Sequence, residues 1–124
     1  MTLLLDTHVL LWWLSDVSKL STRAGDAIAD PSKVVLLSAV VVWECRIKEA
    51  LGKLTLPIDF EMVLEAQPFV PLSITAAHAH GLKSLPDLHR DPFDRLLISQ
   101  AKHEGLTLVT ADPAIARYPI ATLW

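Results

Sequence analysis

Cysteine is nearly absent: Cys45 is the only one in 124 residues. A single thiol excludes a disulfide framework and any zinc site built on cysteine pairs. Glycine is almost as sparse, with four residues, and none forms the Gly-rich turn that cradles nucleotide phosphates. There is no G-x-S-x-G elbow to support a serine nucleophile. Positive charge is not in excess either. Eleven Lys and Arg against fourteen Asp and Glu give a formal charge of −3, which excludes a nucleic-acid binder held by bulk charge alone. No uninterrupted apolar run approaches the roughly 18 residues of a membrane span. Met1-Thr2-Leu3-Leu4-Leu5-Asp6 has no basic start and meets an acid early, so no export leader is expected. A reducing, cytoplasmic setting is the default.

What is abundant is apolar. Hydrophobic residues make up 52% of the chain and include four tryptophans, and the mean hydropathy is +0.39. A chain of this length is expected to form one domain, residues 1–124, and to bury roughly two-thirds of its unfolded surface. Either the core is rich, or some apolar surface meets a partner.

Leu3-Leu4-Leu5 reads as a short buried strand and residues 8–14 as a buried helix. Ser21 is placed to cap a helix reaching Ala29, stopped by Asp30-Pro31. Residues 34–37 are β-branched and apolar, a second strand. Ser38 caps a long helix running to about Leu51, with Gly52 as its stop. Pro57 opens a helical segment over 58–67, and 69–72 reads as an edge strand because of Pro71. Thr75 caps a helix through Leu82. Asp91 at N-cap, Pro92 at N1 and Asp94 at N3 start a helix that ends at Gly105. Residues 106–109 form a fourth strand and 120–123 a last one. Strands alternating with helices predict an α/β fold, a three-layer α/β/α sandwich on a mainly parallel sheet.

The acids fall at chosen places in this frame. Asp6 ends the first strand, and Asp112 lies just past the fourth. Glu44 rides the helix after the second strand, and Asp91 and Asp94 open the helix before the fourth. Ligands of open α/β sheets bind beyond the carboxyl ends of the strands. Carboxylates gathered there repel, and their pKa values rise unless a cation neutralises them. Oxygen donors suit magnesium or manganese. Such an ion supports attack of water on phosphorus, hence phosphodiester hydrolysis. Each acid also has a plainer reading. Asp91 and Asp94 suit a helix start, Asp6 and Asp112 suit turns or caps, and Glu44 has Lys48 at i+4 as a surface partner.

The histidines are weaker signals. His8 lies two residues past Asp6 and is within reach of the site. His78 and His80 read as surface or packing residues, His89 precedes Asp91, and His103 suits a helix C-terminus. None has a partner at metal-ligand spacing.

Four segments resemble the PIN-domain family. They are Leu5-Asp6-Thr7-His8; Trp43-Glu44 with Lys48 and Gly52-Lys53-Leu54; Arg90-Asp91-Pro92-Phe93-Asp94-Arg95; and Val109-Thr110-Ala111-Asp112. Their nearest likeness is to the VapC-like ribonuclease toxins of type II toxin–antitoxin modules, in the expected order along the whole chain. The resemblance implies a PIN-like sandwich with about five parallel strands, a magnesium or manganese pocket, and endonucleolytic cleavage of single-stranded RNA. It also implies a cognate antitoxin and a homodimer. By the same likeness the catalytic acids and metal ligands are Asp6, Glu44, Asp94 and Asp112. Thr110 matches the hydroxyl two residues before the last acid. Asp91 is an extra acid that replaces or assists Asp94, and His8 departs from the serine or asparagine of many members.

Arg46, Lys48, Lys53, Arg90, Arg95 and Lys102 are the candidates to hold an RNA backbone, with Arg95 alternatively pairing Asp91 at i+4. Unpaired loops are the RNA elements proteins usually read. Setting the four candidate acids aside turns the formal charge of −3 into +1, compatible with a few local phosphate contacts. Trp12 and Trp13 are adjacent, about 100° apart on a helix. One is expected in the core and the other in a groove for an antitoxin helix or a dimer mate. The competing readings are an RNA-processing nuclease without a toxin role, a PIN-like RNA-binding module that does not cut, and a magnesium-dependent signalling domain. The last lacks paired acids at the first strand end and a lysine after the last long strand.

Overall fold

Leu3, Leu4 and Leu5 are all fully buried, although neighbouring residues of a strand point to opposite faces. Both faces of the sheet around them are therefore covered, which is the α/β/α layering expected from the sequence. The computed structural model describes all 124 residues. Its elements are β1 (Thr2–Leu5), α1 (Thr7–Ser15), α2 (Thr22–Ala29), β2 (Val34–Ser38), α3 (Ala39–Ala50), α4 (Phe60–Glu65), β3 (Val70–Leu72), α5 (Ala76–His80), α6 (Pro92–Glu104), β4 (Thr107–Val109), α7 (Pro113–Ala116) and β5 (Thr122–Leu123). Short 3-10 turns cover Val17–Lys19 and Gly81–Ser84.

The five strands are parallel in the order β3-β2-β1-β4-β5. Leu4 pairs with Leu36 on one side and Leu108 on the other. β3, with Pro71, is at the edge, where a missing amide hydrogen costs least. The chain runs outward from β1 through β2 to β3, then returns to β4 on the opposite side of β1. That reversal opens a crevice between the carboxyl ends of β1 and β4.

Local capping sets most helix starts. Ser21, Ser38, Thr75 and Asp91 each accept a hydrogen bond from a backbone N–H of the first turn. Gly105 ends α6 with φ 67°, a left-handed conformation that favours glycine. Three expectations shift. The helix after Pro57 begins only at Phe60, because Ile58 is wholly exposed whereas the Phe60 ring is buried. The helix after Thr75 gives way to a 3-10 turn at Gly81 and does not continue as α-helix to Leu82. Between β4 and β5 lies α7, where the sequence around Asp112-Pro113 predicts only a turn.

Candidate active site

Asp6 sits where β1 ends and α1 begins. Its backbone N–H donates to Val109 O at 3.2 Å, which ties the ends of β1 and β4 together. Its Oδ1 accepts from the Val9 N–H at 2.8 Å, the N-cap bond of α1. Asp112 repeats the arrangement after β4. Its Oδ1 accepts from the Ala114 N–H at 2.9 Å and caps α7. Thr110 Oγ1 accepts from the Asp112 N–H at 3.0 Å. Asp6 and Asp112 share a 290 Å³ cavity with His8, Trp12, Ala111 and Pro113. Burial pushes the Asp6 carboxyl above its ordinary pKa, and the negative charge of Asp112 adds to the push. Hydrogen bonds from Thr110 and Val9 and the nearby His8 pull it partly back.

Glu44 comes in from α3 and is buried. The Thr7 hydroxyl donates to its Oε1 at 2.6 Å, and the Lys48 ammonium pairs with its Oε2. The hydrogen bond to Glu44 raises the Lys48 pKa, and the charges of Asp91 and Asp94 add to it. Asp94, one turn into α6, meets His89 Nε2 with its Oδ2 at 3.1 Å. Burial pushes Asp94 up to about 6, with Asp91 and Glu44 contributing like charge.

The four sequence-designated acids thus form two adjoining groups, Asp6 with Asp112 and Glu44 with Asp94, joined through the consecutive residues Asp6 and Thr7. No three His, Cys, Asp or Glu side chains converge closely enough to hold one ion as they stand. Their chemistry still fits a hard divalent cation. All donors are oxygen, and two of the carboxyls have raised pKa values, the condition that an added positive charge relieves. Asp91 and Asp94 also separate. Asp91 Oδ1 is turned back onto the Asp94 N–H at 2.9 Å as the cap of α6, while the Asp94 carboxyl lies beside Glu44's field.

The basic candidates scatter. Lys48 is within the acid group. Arg90 lines a second cavity, of 390 Å³, with Asp87, His89 and Arg95, and Lys53 is exposed just past α3. Arg95 does not pair with Asp91. Its Nη1 donates to Pro86 O and to the Tyr118 hydroxyl, both at 2.9 Å. Arg46 binds Glu49 at 2.9 Å, lies over Phe60 and lines the groove that also holds Glu61 and Glu65. Lys102 is exposed in the last turn of α6, roughly 12 Å along the helix from Asp94. His78, read as a surface or packing residue, is fully buried and hydrogen bonded to Thr75, Gln100 and Glu104.

Thr7 and Tyr118 join the site without being among its candidates from sequence. The signal for Thr7 was its hydroxyl directly after Asp6. Tyr118, the only tyrosine, meets His89 Nδ1 at 2.7 Å and so supports the residue that touches Asp94. Trp12 and Trp13 both pack in part against the core, as expected of at least one of them. Trp13 donates from Nε1 to Gln67 Oε1 at 3.1 Å and packs on Phe69. Trp12 packs between His8 and Trp124 and lines the Asp6–Asp112 cavity. Neither lines the 750 Å³ apolar groove, which is formed by Leu37, Trp43, Phe60, Leu64, Phe69 and neighbours.

Comparison with known proteins places the whole chain in one family. The PIN domain family matches residues 3–121. Ribonuclease VapC22 of Mycobacterium tuberculosis is 32% identical over 129 residues, covering 99% of this chain and 98% of that protein. The crystal structure of VapBC2 from Rickettsia felis, bound to a DNA fragment from its promoter, superposes with a TM-score of 0.75 at 17% identity, over 99% of this chain and 98% of that one. FitAcB from Neisseria gonorrhoeae superposes at 0.63 and 22% identity, over 98% and 96%.

Proposed function

The chain belongs to the PIN-domain family, and from that premise we propose that it is a magnesium- or manganese-dependent endoribonuclease. Its substrate is single-stranded or loop RNA, and its role is the toxin of a type II toxin–antitoxin pair. The observation that carries this reading is the shared cavity of Asp6 and Asp112 at the sheet's switch point, with Glu44 held beside it through Thr7. The near-full-length likeness to a protein named as a ribonuclease supports the same class of reaction.

Asp6, Asp94 and Asp112 would hold the ion, with Glu44 as a further ligand or linked through a water. When bound, such an ion lowers the pKa of a water and neutralises charge developing on the phosphate. The remaining work belongs to the chain. In Asp6 and Asp112 the cap bond at Oδ1 fixes each carboxyl. Thr110 orients both acids. Thr7 and Lys48 fix Glu44 from two sides, and His89, backed by Tyr118, fixes Asp94. Arg90 and Lys53, exposed and unpaired in ion bridges, are available to meet RNA phosphates.

A cognate antitoxin is part of this reading, and the 750 Å³ apolar groove suits the apolar face of a helix from it. A homodimer and a cytoplasmic setting belong to the same reading, and no helix here is long and apolar enough to cross a membrane. The test is cleavage mapping of total RNA with magnesium, with Glu44→Gln as the control. Discrete cuts by the wild type and none by the variant support the assignment. An RNA pool left intact by the folded wild type overturns it.

A further inference from the structure

The cavity beside Asp6 and Asp112 has one wall that phosphodiester hydrolysis does not require. His8 and Trp12 are one helical turn apart, so they share a face of α1. The buried positions of α1 are Thr7, Val9 and Leu10, and Trp12 packs only in part against the core. His8 is exposed and Trp12 half-buried, their ring centroids 5.8 Å apart. Trp124 also meets the indole, with centroids 5.9 Å apart. The indole is therefore braced before any ligand arrives, which reduces the ordering cost of binding.

The lining is also informative in what it omits. Asp6, His8, Trp12, Ala111, Asp112 and Pro113 include no lysine, arginine, asparagine or glutamine. No side chain there can fork paired N–H donors onto a phosphate. Aromatic surface beside a carboxylate pair instead suits a flat π-system whose backbone is held at the acids. At 290 Å³ the cavity is just below the roughly 300–1,000 Å³ of drug-sized ligand pockets and suits one nucleotide rather than a run of them.

We propose that this cavity is a nucleobase subsite, in which the base next to the cleaved phosphate stacks against the Trp12–His8 pair. The proposal rests on the ribonuclease reading above and adds where the substrate's first flanking base sits. Stacking tolerates any base because each has a π-face, so this subsite contributes affinity without sequence choice. Selection among RNA sequences then falls to groups outside it.

The test is steady-state cleavage of short single-stranded RNA, intact or carrying one abasic nucleotide, by the wild type, Trp12→Ala, Trp12→Phe and His8→Ala. We expect Trp12→Ala to raise KM roughly tenfold or more, with kcat changed less than about twofold. Trp12→Phe should recover most of the loss. His8→Ala, a change at an exposed position, should raise KM by a smaller factor. An abasic nucleotide next to the cut should cost the wild type the same factor and cost Trp12→Ala nothing further. Wild-type KM in Trp12→Ala, or a loss that falls on kcat and is not recovered by phenylalanine, overturns the subsite and leaves the nuclease reading standing. A folded wild type that neither cleaves nor binds these RNAs overturns both.

Discussion

The Thr7 hydroxyl donates to Glu44 Oε1 across 2.6 Å, between the first turn of α1 and the middle of α3. Both residues are buried. The bond connects the two acid groups, since Thr7 follows Asp6 directly. A hydrogen bond to a charged group contributes about 1.5–3 kcal/mol. Thr7→Val keeps the shape and removes the donor. Its expected effect is a drop in kcat of roughly tenfold or more at unchanged circular dichroism, with Thr7→Ser restoring most of the rate.

The raised pKa of Asp94 makes a prediction about stability. A carboxyl whose folded-state pKa exceeds its unfolded value binds its proton more tightly when folded. Its contribution is fully present below its ordinary value of about 3.9 and is lost as pH rises through about 6. Asp94→Asn, in chelator, should therefore gain stability over the wild type at pH 7.5, and the gain should shrink at pH 5. Thermal melts of both proteins at the two pH values measure it. An equal difference at both contradicts it.

Divalent ions should act on the same imbalance. A ligand at about 100 times its Kd adds about 2.7 kcal/mol to a folded protein. Magnesium or manganese should raise Tm with a saturating dose dependence, chelator should reverse the rise, and Asp112→Asn should flatten it. A rise of equal size in Asp112→Asn would place the ion elsewhere.

His78 gives a prediction outside the site. It is fully buried, with Nδ1 accepting from the Thr75 N–H at 3.0 Å and Nε2 meeting Glu104 at 2.8 Å. His78→Ala leaves a cavity and unpaired polar groups, so the expected loss is about 3 kcal/mol in urea unfolding. Cleavage per folded molecule should not change.

Features that depend on a few neighbouring residues were legible in the sequence. The caps at Ser21, Ser38, Thr75 and Asp91 need only a side-chain oxygen and an amide two or three residues on. The buried run Leu3-Leu4-Leu5 and the acid after it marked β1 and the mouth of the site. What stayed hidden depends on packing between distant elements. Arg95 finds Tyr118 across 23 positions and not Asp91 four away. His78 is buried because Gln100 and Glu104 reach it from α6. Trp12 meets Trp124 across nearly the whole chain. For the acids, capping and catalysis looked like alternatives in the sequence. In the fold Asp6 and Asp112 each cap a helix with one oxygen and line the cavity as well, so capping a helix does not exclude a place in the candidate site.

The central claim is that Asp6 serves a metal-dependent cleavage of RNA. Asparagine caps a helix as well as aspartate does, so Asp6→Asn should fold like the wild type while losing a charged oxygen. The decisive measurement is magnesium-dependent cleavage of single-stranded RNA by wild type and Asp6→Asn, with circular dichroism on both. The account predicts cleavage by the wild type, none in chelator, and a loss of roughly a hundredfold or more in the folded variant. Wild-type cleavage by Asp6→Asn would contradict it.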